Sequence, residues 1–288
     1  MSVGPKNGGE VRIFPLHRLP PGFLDSLEHP PDPPALPRPS ATLTLLREGR
    51  TGLEVLLLKR SPRSGFIPGA WVFPGGTVDL ADGDPRFLPR LYGITPEGAE
   101  GRLKTYASEP PALAYWVAAI RETFEETGVL IRRRADGTEP EPHHQTKAEA
   151  LARSRLLVGE LSFMEVLETL DLRLDAGALE YNGHWLTPEC EPRRYETRFF
   201  ATEVRRDTLV TPHDKEMVEA RWLTPTEALT GNAEGTLPLV FPTLFTLEEL
   251  EPFRTPRKAL DYLRGKPVPR RLPTLRRTEG GIGFSLEH

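Results

Sequence analysis

Cysteine and long hydrophobic runs are both scarce in this chain of 288 residues. Its single cysteine, Cys190, has no second thiol within the chain with which to form a disulfide bond. The longest apolar runs, such as residues 55–58, are far too short to cross a bilayer, and the start of the chain lacks the continuous apolar stretch of a secretory signal. These absences predict a reducing, cytoplasmic setting and no membrane span.

An excess of charge is also lacking, since 37 basic and 41 acidic residues give a net charge of −4. Such a balance disfavours a general nucleic-acid-binding surface, although a local basic stretch such as residues 132–134 can still meet a small anion. Hydrophobic residues make up 38% of the chain, which allows a sizeable core. We therefore expect a globular protein with neither a nucleic-acid nor a membrane partner.

Proline, by contrast, is abundant, and it helps to divide the chain. Residues 1–39 include HPPDPPALPRP, which lacks too many amide donors to form a helix or a central strand, so an extended proline-rich arm is predicted. Residues 40–230 are predicted to form the main domain, with a proline- and glycine-punctuated insertion at about 83–111. Residues 231–285 are predicted to form a helical C-terminal extension, and residues 286–288 are interpreted as part of a purification tag.

The main domain mixes strand and helix patterns. Two strand-like segments on either side of a GRTG turn, at 40–48 and 53–61, predict a hairpin. Three later segments, which begin GHWLTP, RYETRFF and MVEARWL, are also typical of strands, and helical patterns lie between and after them. The sum predicts an α/β fold in which a mixed sheet carries helices on its faces.

The most informative segment is a helix predicted between Pro111 and Gly128, residues that suit its start and its end. At about 100° per residue, Glu122, Glu125 and Glu126 share one side of this helix, and apolar side chains form a stripe on the opposite side. One face therefore belongs to the core, and the other is acidic.

The acidic face is unfavourable unless something compensates for it. Like charges at i, i+4 destabilise a helix by about 0.2–0.5 kcal/mol per pair, and each anion in the last turn opposes the macrodipole by about 0.3–1 kcal/mol. A solvated face is the alternative interpretation, but it leaves a combined penalty of about 1–3 kcal/mol. A divalent cation would turn the repulsion into attraction, because carboxylate oxygens are the ligands that Mg²⁺ prefers.

Two segments carry a resemblance to a known family. GGTVDLAD at 75–82 and RETFEETGV at 121–129 resemble the two halves of the Nudix box, G-x5-E-x7-R-E-U-x-E-E-x-G-U, where U is a bulky apolar residue. The first Glu of that pattern falls on Asp82, and the U after Arg-Glu falls on Thr123. The largest departure is a spacer of 38 residues, 83–120, where the pattern has seven.

The split box, together with FIPGAWVFPGGTVD and HWLTPECEPRRYETRFF, resembles the peroxisomal coenzyme A diphosphatase type of Nudix hydrolase and its bacterial relatives over about residues 40–265. The resemblance implies an α/β/α sandwich whose catalytic helix, glycine loop and strand form one metal-binding unit. It also implies a Mg²⁺-dependent hydrolase, with Mn²⁺ as a substitute. Its substrate is a diphosphate that links a nucleoside to a group X, with coenzyme A or acyl-CoA favoured.

The same resemblance assigns roles to residues of the box. Glu122, Glu125 and Glu126 fill the family's metal-ligand positions, and a backbone carbonyl of the glycine turn, taken as that of Gly75, joins them. Arg121 matches the arginine that holds a catalytic glutamate in place by a salt bridge, so Glu125 and Arg121 are both placed in the catalytic set. A surface ion pair is the alternative interpretation of Arg121.

A further acidic residue is expected near the end of the sheet, because many family members have a general base or metal ligand there. TPHDKEMVEARW offers Asp214, Glu216 and Glu219, and Glu216 is chosen because Glu219 lies within the predicted strand. Spacing alone does not test whether any of them reaches a water molecule.

For the substrate, Arg60, Arg193 and Arg194 are candidate contacts to the extra phosphates of coenzyme A. Phe66 is a candidate for stacking on adenine. Solubility for the basic residues and core packing for the aromatic residue are the alternative interpretations.

Two alternative functions stay open from the sequence. The same chemistry can act on ADP-ribose or a dinucleotide. A non-catalytic nucleotide-binding Nudix module is the other class, which Asp82 and Thr123 favour as departures from the box and which the three helix glutamates disfavour. A homodimer is expected only because it is the commonest soluble assembly.

Overall fold

A computed structural model of the chain describes residues 11–15, 23–64, 67–105, 109–138, 145–213 and 216–286. Its strands are β1 (Arg12–Phe14), β2 (Arg38–Glu48), β3 (Leu53–Arg60), β4 (Trp71–Val72), β5 (Gly75–Thr77), β6 (Arg132–Arg134), β7 (Leu172–Leu174), β8 (Glu180–Leu186), β9 (Tyr195–Glu203), β10 (Met217–Leu223), β11 (Arg270–Arg271), β12 (Pro273–Thr278) and β13 (Gly281–Leu286). Its α-helices are α1 (Phe23–Glu28), α2 (Pro96–Leu103), α3 (Ala112–Thr127), α4 (Lys147–Leu157), α5 (Phe163–Leu170), α6 (Pro225–Ala233), α7 (Phe241–Leu250) and α8 (Pro256–Arg264).

A mixed sheet organises the chain, in the order β10-β3-β2-β9-β8-β11, with β4 paired to β3 and β5 paired to β2. Strand β2 lies at its centre, antiparallel to β3 and parallel to β9. The predicted hairpin and the three predicted later strands all take part in this sheet. The α/β class with a mixed sheet is therefore confirmed.

Both faces of the sheet are buried, which explains the continuous apolar run of β3. Leu56 and Leu58 pack into the core on the α3 side of the sheet. Val55 and Leu57 point the other way, into a second core that also contains side chains of α6, α7 and α8. Because successive strand residues alternate between faces, an unbroken run of apolar residues marks a strand covered on both sides. The result is the three-layer α/β/α arrangement.

Helix α3 is the central helix of one layer, and its boundaries follow the sequence signals. Pro111 is the N-cap, and Gly128 ends the helix in a left-handed conformation with a φ of 76°. The ring of Trp116 lies 4.7 Å from that of Phe200 on β9, which anchors the helix to the sheet. The predicted helix is confirmed, and its acidic side turns toward β5.

The described part of the predicted insertion packs beside α3. It contains two short 3-10 helices, Leu80–Gly83 and Pro85–Arg90, and then α2, which begins at the Thr95 side-chain cap. Phe87 and Leu103 bury their side chains against the α3 core. The insertion thus extends the α3 layer of the fold.

The two ends of the chain meet in a second, three-stranded sheet of order β1-β13-β12. The predicted helical extension contains α7 and α8, and it also contains the strands β11, β12 and β13. Strand β13 pairs with its neighbour β12 and also with β1, which joins residues 282–284 to residues 12–14. Leu286, set aside as part of a tag, pairs with Pro273 in this sheet. The division of the chain at residues 39 and 230 stays a prediction.

Among the residues that the structure describes, no helix has the length and apolar character needed to span a membrane.

Candidate active site

The glycine turn and the acidic side of α3 are in direct contact. The amide of Gly75 donates a hydrogen bond of 3.0 Å to Oε2 of Glu126. A Cβ atom placed on Gly76 would lie 2.5 Å from Cδ of Glu122, and one on Gly75 would lie 2.4 Å from the carbonyl oxygen of Ala41. Any larger residue would displace the neighbouring groups, so these two glycines let β5 approach both the helix and β2.

Arg121 is the centre of an ion-pair network. Its Nε and Nη2 atoms donate to the two carboxylate oxygens of Asp82 at 2.8 and 2.9 Å. Its Nη1 atom donates to Glu122 at 2.9 Å and to Glu125 at 3.3 Å. Burial opposes the charge, but the hydrogen bonds to Asp82 and the nearby carboxylates more than offset it, so the pKa of Arg121 is raised. Arg121 thus contacts two of the predicted metal ligands, and its role stays a prediction.

Asp82 also organises the loop that carries it. Its Oδ2 atom accepts a 2.8 Å hydrogen bond from the amide of Asp79, which caps the first 3-10 helix of the insertion. The side chain is almost fully buried. A carboxylate at this position, although shorter than the Glu of the family pattern, therefore ties the glycine loop to the catalytic helix.

Thr123 departs from the family pattern without leaving an unsatisfied polar group. Thr123 is completely buried in α3, at a position where the family pattern has an apolar side chain. The hydroxyl donates a 2.7 Å hydrogen bond to the carbonyl of Ala119, one turn earlier. Because its polar atom bonds within the helix, Thr123 can replace an aliphatic residue at modest cost.

Burial leaves the acidic side chains short of compensating positive charge. It raises the pKa of Glu122 to about 7, even though the Arg121 guanidinium acts in the opposite direction. It raises the pKa of Glu126 well above the usual range, and the charges of Glu122 and Glu216 add to the effect. It also raises the pKa of Glu125. Carboxylates held in such surroundings suit a divalent cation, which would supply the missing charge.

The predicted metal ligands do not form a complete metal site in this structure. Across the described ranges, no group of three or more His, Cys, Asp or Glu side chains stands close enough together to form a complete metal site. Each of the three glutamates has another partner: Arg121 donates to Glu122 and Glu125, and the Gly75 amide donates to Glu126. The donor chemistry fits a hard cation, and these carboxylates would need to turn to bind it.

A cavity of about 780 Å³ opens beside this network. Glu122, Glu126 and Glu216 line it, and so does Arg60, whose Nη2 atom donates to Oγ of Ser64 at 3.0 Å. Glu219 instead binds Arg221 at 2.6 Å along β10, and the cavity lining does not include it. The choice of Glu216 over Glu219 is consistent with this arrangement, and Asp214 lies outside the described residues.

The other predicted substrate contacts are placed differently. Arg194 is buried and donates to the carbonyl oxygens of Thr187 and Ala35, both at 3.0 Å, so it holds the N-terminal arm against the β8–β9 loop. Neither Arg194 nor the exposed Arg193 is among the residues that line the cavity. This corrects the prediction that Arg194 contacts the substrate. Sequence alone does not distinguish a basic residue that binds phosphate from one that bonds to the backbone. Phe66 lies outside the described residues.

Several residues that line the cavity were missed from the sequence. Glu191 lies in its wall, and burial raises the pKa of that carboxyl group. Aromatic side chains from both ends of the chain line the cavity as well, among them Phe14 and Phe284. No local signal could have found these two, because residues so far apart in sequence meet only through the three-stranded sheet.

A second cavity, of about 950 Å³, lies between the insertion and the start of α3. Most of its lining is apolar, with Phe87, Leu88 and Leu91 among the side chains. Although it is larger, the residues that line it include none of the three helix glutamates. The smaller cavity, which Glu122 and Glu126 line, is therefore the candidate active site.

Known proteins show the same architecture and sequence pattern. The family model of the NUDT19 Nudix domain matches residues 37–250. Human acyl-coenzyme A diphosphatase NUDT19 is 32% identical over 230 residues, which cover 70% of this chain and 61% of that protein. The Xenopus laevis protein of the same name is 27% identical over 264 residues, or 81% of this chain and 70% of that protein.

A solved structure agrees with these matches. The crystal structure of a Nudix hydrolase from Alicyclobacillus acidocaldarius aligns with a TM-score of 0.68 and 29% identity, over 81% of this chain and 99% of that one. The present chain spans about three fifths of the human relative, 61% of its length. Since the family model matches most of the chain and the two halves of the box meet in space, this chain belongs to the NUDT19 Nudix domain family.

Proposed function

We propose that this chain is a Mg²⁺-dependent diphosphatase that hydrolyses coenzyme A or acyl-CoA to 3′,5′-ADP and (acyl-)4′-phosphopantetheine. The observation that carries the proposal is the meeting of Glu122 and Glu126 with the Gly75–Gly76 turn at the wall of one cavity. The relatives named acyl-coenzyme A diphosphatase support the choice of substrate.

The acidic side of α3 is proposed to hold the metal. Glu122, Glu125 and Glu126 would be its carboxylate ligands, with the Gly75 carbonyl beside them. A divalent cation held there would neutralise the diphosphate oxygens and orient the attacking water. Arg121 restrains two of these glutamates before substrate arrives, and its own position is set by the two hydrogen bonds to Asp82. Mn²⁺ is expected to substitute for Mg²⁺.

Glu216 is proposed as the general base. It would take a proton from the attacking water as the water oxygen bonds to one phosphorus, while the bond from that phosphorus to the bridging oxygen breaks and the other phosphate leaves with that oxygen. Its backbone is held on both sides: its amide donates to the His213 carbonyl at 3.0 Å, and its carbonyl accepts from the Ser61 amide at 2.8 Å. The residue lines the same cavity as Glu122 and Glu126. A fixed backbone beside the acidic face supports this role, because a base must lie within hydrogen-bond reach of its water.

Arg60 is proposed to bind the substrate diphosphate, because its planar guanidinium matches phosphate oxygens in pairs. It is the one Lys or Arg side chain among the described residues that line the cavity. Arg193, at the exposed start of the β9 region, stays a prediction for the 3′-phosphate of coenzyme A.

This scarcity of cations favours a second candidate. A substrate without the 3′-phosphate, such as ADP-ribose or a dinucleotide, would need fewer basic partners than coenzyme A does. The non-catalytic binding module has less support, because the three glutamates and the Arg121 network are all present. The cytoplasmic setting and the homodimer stay predictions.

A substrate panel tests the proposal. The full chain is incubated with Mg²⁺ or Mn²⁺ and with coenzyme A, 3′-dephospho-coenzyme A, an acyl-CoA, ADP-ribose or a dinucleotide, and products are separated by chromatography. We expect kcat/KM for coenzyme A to exceed that for the dephospho form by about tenfold or more, because charge-assisted hydrogen bonds to the 3′-phosphate would be lost. Equal values would favour the second candidate. No turnover of any diphosphate with either ion would favour the binding module.

A further inference from the structure

The cavity that the acidic face lines is also lined by aromatic side chains. Five of these aromatic residues come from five separate elements of the chain. They are Phe14 of β1, Phe23 of α1, Trp185 of β8, Phe241 of α7 and Phe284 of β13. We call this group the aromatic wall.

The aromatic wall is held in place by contacts between its rings. Phe284 is at its centre, with its ring 4.7 Å from that of Phe14 and 5.4 Å from that of Phe241. Trp185 packs edge-on against Phe241 at 5.4 Å. Phe284 and Phe241 keep only 8% and 9% of their surface exposed, so they form a firm boundary of the cavity and not an exposed patch.

Three of the five residues of the wall lie outside the segment that the family model matches. The family model covers residues 37–250, so Phe14, Phe23 and Phe284 come from segments beyond it. These segments join each other through β1 and β13, which pair Phe14 with Ile282 and Arg12 with Phe284. Segments near the two ends of this chain therefore line the same cavity as residues of the Nudix box.

We propose that the aromatic wall receives the acyl chain of an acyl-CoA, so that the two ends of the polypeptide select acylated over unacylated coenzyme A. This inference rests on the proposed function and specifies the substrate of the same site. The phosphates belong beside Arg60 and the glutamates in the lining of the same cavity, where their charge can be matched.

The chemistry of the wall favours an acyl chain over the other parts of the substrate. A pantetheine amide loses its hydrogen bonds to water when it is buried, and rings of Phe cannot replace them. A hydrocarbon chain has no such bonds to lose, and it gains about 0.8 kcal/mol for each buried methylene. That gain corresponds to a three- to fourfold rise in kcat/KM per methylene until the chain fills the space.

The first test uses the unmutated full chain with Mg²⁺. The kcat/KM values for acetyl-, hexanoyl- and decanoyl-CoA are each divided by the value for free coenzyme A. We expect the ratio to rise at least tenfold from acetyl to hexanoyl, because four further methylenes become buried. A ratio that stays flat while coenzyme A is hydrolysed overturns the inference and leaves the proposed function intact. Failure to hydrolyse both overturns the proposed function, and the inference falls with it.

The second test locates the preference. Phe284→Ala should lower the hexanoyl-to-free ratio by about tenfold, because truncation removes the centre of the wall. Phe253→Ala is the matched control: Phe253 packs against Tyr262 at 5.1 Å in the same C-terminal region, and the cavity lining does not include it. Circular dichroism checks that Phe284→Ala is folded. If the folded variant keeps the full hexanoyl-to-free ratio, the inference is overturned and the aromatic wall only packs the two ends together. If this variant does not fold, the chain-length series decides alone.

Discussion

Arg121 and Asp82 form a two-pronged salt bridge across 39 positions of sequence, with N–O distances of 2.8 and 2.9 Å. The pair joins the two halves of the Nudix box, which the insertion separates. The loop that carries Asp82 precedes the insertion and still lies beside α3. The chain can therefore carry many extra residues between the two halves without separating Asp82 from Arg121. The salt bridge explains how the split box still forms one site.

Replacing Asp82 with Asn should destabilise the protein. The change removes the charge that pairs with a buried guanidinium, and breaking a buried pair on one side costs about 3–5 kcal/mol. Glu122 and Glu125 still neutralise part of the Arg121 charge, so we expect a loss of about 2–3 kcal/mol in the free energy of unfolding, measured by urea titration. Asp84→Asn, which breaks an exposed pair with Arg86, is the control and should change stability little. Equal losses for the two variants would contradict the argument.

Replacing Glu126 with Gln should separate activity from stability. The amide oxygen can still accept the hydrogen bond from Gly75, but a proposed metal ligand is lost, so kcat should fall about 100-fold or more. Without added metal the variant should be at least as stable as the unmutated protein, because a buried carboxylate lacking full compensation has been removed.

The same variant has a second readout. Mg²⁺ should raise the midpoint of thermal unfolding of the unmutated protein, by mass action, and should raise that of Glu126→Gln less. Glu219→Gln, which changes a carboxylate paired with Arg221 on β10, serves as control and should keep both the activity and the metal response. A Glu126→Gln protein with normal turnover would exclude this glutamate as a ligand.

Gly76→Ala should damage the site more than the fold. The added Cβ would lie 2.5 Å from the Glu122 carboxyl carbon, which must move away from the turn. Since this atom is at the end of a flexible side chain, the free energy of unfolding should change by only about 1 kcal/mol or less. We expect kcat/KM to fall about tenfold to 100-fold, because a ligand has lost its position. Gly101→Ala, whose Cβ would meet no atom within 4 Å, should leave kinetics unchanged.

Acid should destabilise the protein through His184 and Glu196. The hydrogen bond from His184, followed by that from Arg270, lowers the pKa of Glu196 to about 2. The contribution of Glu196 to stability is therefore present above the pKa of about 4.3 that Glu has in the unfolded chain, and it is lost as the pH falls toward 2. Burial lowers the pKa of His184, so the unfolded chain binds a proton first and stability also falls as the pH drops below about 6.5. Both effects have the same sign.

Urea titrations between neutral pH and the onset of acid unfolding test this expectation. Glu196→Gln should show a shallower loss of stability below about pH 4 than the unmutated protein, because it has no carboxylate to protonate there. The size of the difference should be modest, since Glu196 is partly exposed. The exposed Glu97→Gln should follow the unmutated curve. If the free energy of unfolding falls with pH in the same way for all three proteins, Glu196 does not contribute to the acid sensitivity.

Local patterns carried much of the fold and the centre of the site. The Pro111 and Gly128 boundaries, the acidic side of α3, and the hairpin and three later strands of the main sheet all have signals within a few residues, and the structure contains each of them. Arg194 shows the limit of such reasoning. Its sequence context is basic and exposed in appearance, yet its guanidinium is buried against the backbone of the arm.

The sequence by itself determined that this chain has a Nudix box, because the type and spacing of Gly76, Arg121 and the helix glutamates are local properties of two short segments. Only the tertiary structure decided how Asp82 reaches Arg121 across the insertion and how Phe14 comes to lie 4.7 Å from Phe284. Helix and strand periodicity arise from neighbours along the chain, whereas these contacts depend on where a sheet and a buried core bring distant segments together.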